Sequence, residues 1–182
     1  RDDMKTLLLI ITVIASLALG EDSLAVSHGS TVGEGFQHTK PSEIKIVPSE
    51  FTHKENLEIL LQKLNDPDPF VRVEVVQALG EIQEVRSFVS VCDSLNDENI
   101  YVRAYAAEAL GKIGRLDISI ALLRLLPGLD DPSPYVRAMM VAALGELQDE
   151  RAVDSVRECL HDEDESVRKM AAWALNKIEN SQ

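Results

Sequence analysis

The histidines are the side chains of this sequence best suited to bind a metal ion or to transfer protons. Four occur, at His28, His38, His53 and His161. None has a carboxylate or a second histidine at the spacing that puts two metal ligands on one face of a helix. A glycine-rich loop that would hold phosphates is also missing. The sequence therefore predicts no catalytic residues, no metal, no cofactor and a protein that is not an enzyme.

One acidic run leaves two interpretations open. It is four residues long and comprises Asp162, Glu163, Asp164 and Glu165. Carboxylates in such a run attract calcium, and they also stabilise the N-terminus of a helix that follows. We favour the second interpretation, because the last predicted helix begins here.

The net charge restricts the partners of the chain. The 31 acidic residues outnumber the 18 basic ones and give a net charge of -13. Such a surface repels the phosphates of nucleic acids and the headgroups of anionic lipids. We therefore expect a protein or peptide partner and no nucleic acid.

A motif of twelve residues recurs four times and shows which elements carry the exposed side chains. The copies are VRVEVVQALGEI from Val71, VRAYAAEALGKI from Val102, VRAMMVAALGEL from Val136 and VRKMAAWALNKI from Val167. Their spacings of 31, 34 and 31 residues are typical of stacked helical units. A further apolar helix precedes each copy, so the sequence predicts an all-α domain of four helix pairs over residues 52–182. The repeats cover about 52–83, 84–114, 115–148 and 149–180.

One stripe of the second helix in each pair is expected to face the next repeat. It carries a glycine at the same helical angle in three repeats, at Gly80, Gly111 and Gly145. A glycine inside a helix costs roughly 1 kcal/mol relative to alanine, so its recurrence predicts a close approach of the next helix. In the fourth repeat the stripe holds Lys169 and Asn176 instead. These polar residues predict that the solenoid, and the chain, end at this repeat.

Another stripe of the second helices faces neither the core nor the next repeat. It contains all three tyrosines and the single tryptophan of the chain. Aromatic residues and methionines between charged residues are typical of a protein-binding surface. The predicted partner-binding residues are Tyr101, Tyr105, Glu108, Tyr135, Met139, Met170 and Trp173.

Two features of this stripe qualify the prediction. Phe70, Tyr101 and Tyr135 stand directly before the Val-Arg pair of their repeats, so a role in covering the turn above the core stays open for them. The acidic residues of the stripe favour a cationic or mixed partner, and they are Glu74, Glu81, Glu108 and Glu146.

The best copy of the repeat resembles a known family. Its pattern L-x-D-x-x-x-x-V-R-x-x-A-A-x-A-L-G-x-I runs from Leu95 to Ile113. With four copies in register, the chain resembles HEAT repeats, specifically the short HEAT-like repeats found in phycobilisome lyases. The resemblance implies a right-handed α-solenoid whose second helices line the concave side and bind the partner. It also implies that one set of residues has a structural role and joins adjacent repeats: Asp66, Asp97, Asp131 and Asp162 with Arg72, Arg103, Arg137 and Arg168.

The chemistry of these residues agrees with that role. An aspartate just before a helix accepts hydrogen bonds from its free N–H groups, and a nearby arginine can bridge to the carboxylate.

The N-terminal residues 1–20 read as a signal peptide. Lys5 precedes an apolar run from Leu7 to Leu19, and small residues at Ala18 and Gly20 predict cleavage near Gly20. At about 1.5 Å per residue, the run is shorter than the roughly 30 Å core of a bilayer. We therefore predict an exported protein, periplasmic or secreted, that contacts a membrane only if this segment stays uncleaved.

Residues 21–51 are rich in glycine, serine and proline, which predicts a disordered, flexible linker. Within the repeats, Cys92 and Cys159 fall in first helices two units apart. That separation is too large for a disulfide, so two free thiols are expected.

Together these observations predict a non-enzymatic extracytoplasmic scaffold that recognises a protein or peptide segment on its concave face. The resemblance alone implies an alternative, which is lyase-like or chaperone-like handling of a small cofactor of the bilin type. A third interpretation is a structural subunit whose convex surface is the functional one.

Overall fold

The computed structural model describes residues 53–181. The predicted signal peptide, the predicted linker and the start of the first repeat lie outside the described residues. The described part consists of helices and short turns, with no strand between residues 53 and 181.

The helices form four successive pairs, which confirms the predicted all-α solenoid of four repeats. Each pair has a first helix and a second helix. The pairs are α1 (His53–Lys63) with α2 (Pro69–Ile82), α3 (Phe88–Ser94) with α4 (Ile100–Ile113), α5 (Ile118–Leu125) with α6 (Pro134–Leu147), and α7 (Val153–Glu158) with α8 (Glu165–Glu179). From the second repeat on, the first helices are short and are flanked by 3-10 turns, whereas the second helices have 14 or 15 residues.

The second helices pack directly on one another, and the glycines of their shared stripe make this possible. A Cβ atom on Gly80 would lie 2.9 Å from the Cβ of Ala109 in the next second helix. A Cβ on Gly145 would lie 2.9 Å from the Cα of Ala174, a backbone atom that cannot move aside. Gly111 is buried in the same way. The predicted reason for the recurrent glycine, close approach of the next repeat, is confirmed.

This close packing bends the stack. Successive second helices share far more contacts than successive first helices do. When successive repeats are closer together on one side of a stack than on the other, the stack curves towards the side with the closer spacing. We therefore expect the exposed stripe of the second helices to line the concave side and the exposed face of the first helices to form the convex side.

Arginine and aspartate side chains tie each repeat to the next. Arg72 donates from Nε and Nη2 to the two carboxylate oxygens of Asp97, 2.8 Å away in each case. Its Nη1 donates to the backbone carbonyl of Asp66 in its own repeat, at 2.9 Å. This two-pronged geometry fixes the orientation of both groups. The same bonds recur between Arg103 and Asp131 and between Arg137 and Asp162.

The aspartates do not cap the second helices directly, which corrects the interpretation from the sequence. Asp97 accepts the backbone N–H of Asn99 at 2.8 Å, and Asn99 in turn accepts the N–H of Tyr101 in the first turn of α4. In this turn one acceptor binds the arginine of the preceding repeat and a second, two positions later, caps the helix; in the third repeat the equivalent Ser133 makes no such side-chain bond. Asp68 and Asp164 are the corresponding caps of α2 and α8.

The two ends of the stack differ from its middle. Asp66 in the first repeat pairs with Lys63 at 2.9 Å, and no arginine of the described residues binds its carboxylate. In the last repeat, Arg168 bonds to the backbone carbonyls of Asp162 and Glu163, at 2.7 and 2.9 Å. Lys169 and Asn176, the polar residues of the stripe that is buried in earlier repeats, are exposed.

The two cysteines are buried and free, as predicted. Cys92 lies in α3 and Cys159 in the 3-10 turn after α7. Burial raises the pKa of Cys92 to about 11, so this thiol stays protonated at neutral pH. Burial also raises the pKa of Cys159.

Candidate binding groove on the second helices

The repeat spacing aligns the exposed residues of the second helices in four rows, which we call the groove. The first row, near the start of the helices, is Phe70, Tyr101, Tyr135 and Ser166. The second is Glu74, Tyr105, Met139 and Met170, and the third is Gln77, Glu108, Ala142 and Trp173. The fourth row, near the helix ends, is Glu81, Lys112, Glu146 and Lys177.

The first row is aromatic and largely open to solvent. Phe70 is 74% exposed, Tyr101 50% and Tyr135 40%. The rings of Tyr101 and Tyr135 meet edge to face, with centroids 6.1 Å apart. A ring that only covered a turn would lose most of its exposed surface to the core. These values favour contact with a ligand over the covering role that the sequence left open.

The second row lies deeper. Tyr105, Met139 and Met170 are partly buried and pack against the core. Burial and the neighbouring Tyr105 raise the pKa of Tyr135, so its hydroxyl is protonated at neutral pH and can donate a hydrogen bond. Tyr101, Tyr105 and Tyr135 thus form one cluster that spans the second and third repeats.

Trp173 occupies the groove one repeat further on. A Cβ on Gly145 would lie 2.8 Å from Cζ3 of its ring, so the ring rests against the backbone of α6. The Nζ atom of Lys177 lies 4.9 Å from the centroid, a distance at which a cation attracts the face of an indole. The side chain remains 41% exposed. One part of the indole is therefore fixed by packing while another part is available to a ligand.

The fourth row alternates between negative and positive charge. Lys112 donates to Glu81 at 2.6 Å and to Glu108 at 2.9 Å. Burial alone would lower the pKa of Lys112, but these two carboxylates raise it. Lys177 pairs with Glu146 at 2.5 Å. The repeat spacing alone would have shown this alternation of glutamate and lysine. It becomes visible only when equivalent positions of the four helices are compared, and not when each helix is considered by itself.

These pairs leave one acidic side chain of the groove without a countercharge. No residue in the described part of the chain hydrogen bonds or ion pairs with Glu74. It stands one turn after Phe70 and in the same row as Tyr105. A carboxylate beside aromatic rings suits a cationic side chain, which can bind the carboxylate and a ring face together.

A cleft of about 410 Å³ lies outside the groove, between α3 and α5. No three histidine, cysteine, aspartate or glutamate side chains of the described residues come together as metal ligands.

In the acidic run, Asp162 binds Arg137 and Asp164 caps α8, which agrees with the capping interpretation. Over the same residues no helix is long and apolar enough to cross a bilayer.

Comparison with known families agrees with this architecture. The family model for HEAT repeats matches residues 45–111 and 122–182. This chain belongs to the HEAT repeat family. A second model, described as PBS lyase HEAT-like repeat, matches residues 102–131 of the HEAT-repeat chain. No curated protein matches its sequence.

Two solved structures share the fold. One is the complex of CpcE and CpcF of phycocyanin lyase from Nostoc sp. PCC7120, with a TM-score of 0.61 and 21% sequence identity over 65% of this chain and 79% of that chain. The other is an engineered protein, with a TM-score of 0.53 and 21% identity over 69% of this chain and 63% of that chain. At this identity the similarity establishes the fold of the HEAT-repeat chain and no more.

The prediction that the protein is not an enzyme is contradicted by these findings. It rested on the absence of a catalytic constellation in the sequence. The second family model is named for the repeats of a lyase, and one of the two structures is that of a phycocyanin lyase complex. A surface without a recognisable constellation of catalytic side chains does not exclude such a role.

Proposed function

We propose that this HEAT-repeat scaffold binds a protein segment along the groove of its second helices. The observation that carries the proposal is the position of the tyrosine cluster and Trp173. Tyr101, Tyr135 and Trp173 are exposed on successive repeats, on the surface of the second helices, and the partly buried Tyr105 lies between them. An extended segment laid across the repeats meets them in turn. Aromatic side chains of this kind supply most of the binding energy in protein interfaces.

The charges of the groove favour a cationic or mixed segment. Lys112 and Lys177 are neutralised by glutamates of the groove itself, so they offer little to an acidic ligand. Glu74 is uncompensated, and the net charge of -13 attracts basic partners over longer distances. The groove therefore suits a segment that has a lysine or arginine to pair with Glu74. Further along, the same segment would place apolar side chains against Met139, Met170 and Trp173.

The test is capture of partners from an extract by the wild type and by a Tyr105→Ala, Trp173→Ala double variant. We expect the double variant to lose the partners that the wild type retains, because both rings lie in the groove. Arg157→Ala serves as the control, since Arg157 is exposed on α7, away from the groove. Circular dichroism must show equal helix content in all three proteins. Equal capture by two equally folded forms would refute the assignment of the groove.

We also propose that the protein acts after export. The support is the sequence of residues 4–20, with its basic start, its apolar run and its small residues before Glu21. Expression of the full chain in a bacterial host, followed by fractionation and N-terminal sequencing, tests this. A mature N-terminus near Glu21 in the periplasm is the expected result. An intact N-terminus in the cytoplasm would contradict it.

A second candidate is a lyase-like or chaperone-like role with a cofactor of the bilin type. It is favoured by the PBS lyase HEAT-like match over residues 102–131, which includes Tyr105 of the tyrosine cluster. Incubation of the purified protein with an open-chain tetrapyrrole and measurement of its absorbance separate this candidate from the first. A spectral shift that Tyr105→Ala abolishes supports bilin handling. An unchanged spectrum leaves the protein-binding scaffold as the remaining function.

A further inference from the structure

The convex face carries an apolar patch in its middle and charges at both ends. The residue that points outward from the first helix is Glu58 in the first repeat and Asp154 in the fourth, at equivalent positions. The middle repeats have Val89 and Leu123 there, and these side chains are 62% and 70% exposed. We call the exposed apolar residues of the two middle repeats the convex patch; they are Val85, Val89, Leu116, Ile120 and Leu123.

The patch reaches the cleft between α3 and α5 at Leu123. Leu123 forms one wall of this cleft and Cys92 in α3 forms another. Ile120 precedes Leu123 by one turn and extends the same side of α5. Leu116 ends the 3-10 turn that leads into α5. Contiguous exposed apolar surface of this kind, bordered by polar residues, marks an interaction site on soluble proteins. The groove on the second helices is on the opposite side of the stack, so this surface is independent of the proposed function.

One cation beside the patch has no partner. Every other lysine or arginine side chain between residues 57 and 181 makes a hydrogen bond or an ion pair. Arg124, adjacent to Leu123, makes neither within the described residues, although the chain has a large excess of carboxylates.

A free carboxylate belongs to the same region. Asp93 follows Val89 by one turn of α3, and its carboxylate likewise makes no hydrogen bond or ion pair among the described residues. Burial has the largest effect on the pKa of the Cys92 thiol. The charge of Arg124 lowers this pKa and the charge of Asp93 raises it. Arg124 and Asp93 therefore lie near the same cleft without pairing with each other.

We propose that the convex patch binds a second copy of this chain, forming a two-fold symmetric dimer. A two-fold contact needs a surface that complements itself. The patch lies at the centre of four repeats, so a two-fold axis there sets α3 against α5 of the partner subunit. Val89 then meets Leu123 of the partner subunit, and Arg124 meets Asp93 of the partner subunit, each contact occurring twice. A second copy supplies both countercharges at once, because every copy presents the same unpaired cation and the same unpaired carboxylate beside its apolar surface.

The charge of the chain sets the conditions for the test. Two copies with a net charge of -13 repel each other, but at 0.15 M salt the screening length is about 8 Å, so distant charges contribute little. Sedimentation velocity of the full-length protein over a concentration series at this salt should show a dimer. Leu123→Asp, which places a carboxylate in the apolar contact, should raise the dimer dissociation constant at least about tenfold.

The matched control is Phe70→Asp. It changes an equally exposed apolar residue, but in the groove, and it should leave the dissociation constant of the dimer unchanged. A wild type that stays monomeric at every concentration overturns the proposal, and so does a dimer that Leu123→Asp leaves intact. A monomer whose patch binds an apolar dye, with binding lost in Leu123→Asp, also overturns it and shows that another occupant covers the surface.

A charge reversal tests the pairing itself. Arg124→Glu and Asp93→Arg should each weaken the dimer by about two- to fivefold, because each breaks two partly exposed ion pairs. The double variant restores opposite charges across the axis, so it should dimerise as the wild type does. Failure of the double variant to recover overturns the assigned register. Partner capture through the groove is measured separately, so its outcome does not depend on this result.

Discussion

The second helices have two long surfaces that differ in how their residues repeat. The surface packed between repeats uses the same solution each time, with Gly80, Gly111 and Gly145 at one angle and an arginine bound to the next aspartate. The groove uses a different residue at each equivalent position, as in the row Glu74, Tyr105, Met139 and Met170. A buried position that meets the same neighbour in every repeat admits few residue types. A groove position faces solvent, so packing between repeats does not restrict which residue type occupies it. Binding of a ligand can then select the residue type.

The last repeat provides the internal control for this comparison. Asn176 occupies the position of Gly145, but no helix of the described chain packs on it, and it is exposed. Arg168 similarly occupies the position of Arg137 without a carboxylate to bind. The same helix position therefore changes its residue, or loses its partner, where the neighbouring repeat is absent from the described stack.

The largest expected effect comes from filling the glycine contact. Gly145→Val should lower the free energy of unfolding by about 3 kcal/mol, because its Cβ would lie 2.9 Å from the backbone Cα of Ala174 and the helices would have to separate. Urea denaturation followed by circular dichroism measures it. Asn176→Val is the matched control at the equivalent exposed position, and valine and asparagine have similar helix propensities. Equal destabilisation by both changes would mean that the glycine is not there for packing.

A smaller effect is expected from the arginine that joins the third and fourth repeats. Arg137→Met should cost about 2 to 3 kcal/mol, since it leaves the Asp162 carboxylate partly buried without its arginine. Arg168→Met removes only bonds to backbone carbonyls and should cost about 1 kcal/mol. Both are measured by the same urea denaturation. If the two variants were equally stable, the carboxylate contact would contribute nothing beyond the backbone bonds.

Acid should weaken the contact between the third and fourth repeats. The hydrogen bond from Arg137 holds the pKa of Asp162 below its ordinary value, although burial opposes this. In the unfolded chain the pKa of an aspartate is about 3.9. As the pH falls, Asp162 therefore takes up a proton in the unfolded state before it does so in the folded state. The contribution of Asp162 is complete above that pH and is lost as the pH falls towards its folded pKa. Asp162→Asn should make unfolding free energy less dependent on pH between neutral pH and about pH 3, measured by denaturant titrations across that range. An unchanged slope would contradict this.

The sequence allowed the contacts between repeats to be predicted well and the groove only in part. The glycines and the Val-Arg pairs recur at a fixed period, so their common role was visible without a structure. The residue that caps each second helix was not visible. The repeated aspartate and the residue two positions after it can both accept a hydrogen bond, and only the geometry shows which of them caps the helix. The free charges at Arg124 and Asp93 were also invisible, since pairing depends on distances across repeats that no periodicity encodes.

The smallest effect on stability should come from the charged row of the groove. Lys112→Met removes ion pairs that are mostly exposed, so it should cost less than about 1 kcal/mol. The same change leaves Glu81 and Glu108 without a countercharge, which makes the groove more acidic. Binding of an arginine-containing peptide, measured by the fluorescence of Trp173, should therefore tighten while stability hardly changes. A Glu81→Gln, Lys112→Met double variant should bind the peptide less tightly than Lys112→Met alone, because one of the two freed carboxylates is gone. If stability fell sharply and peptide binding stayed constant, this row would belong with the contacts between repeats and not with the groove.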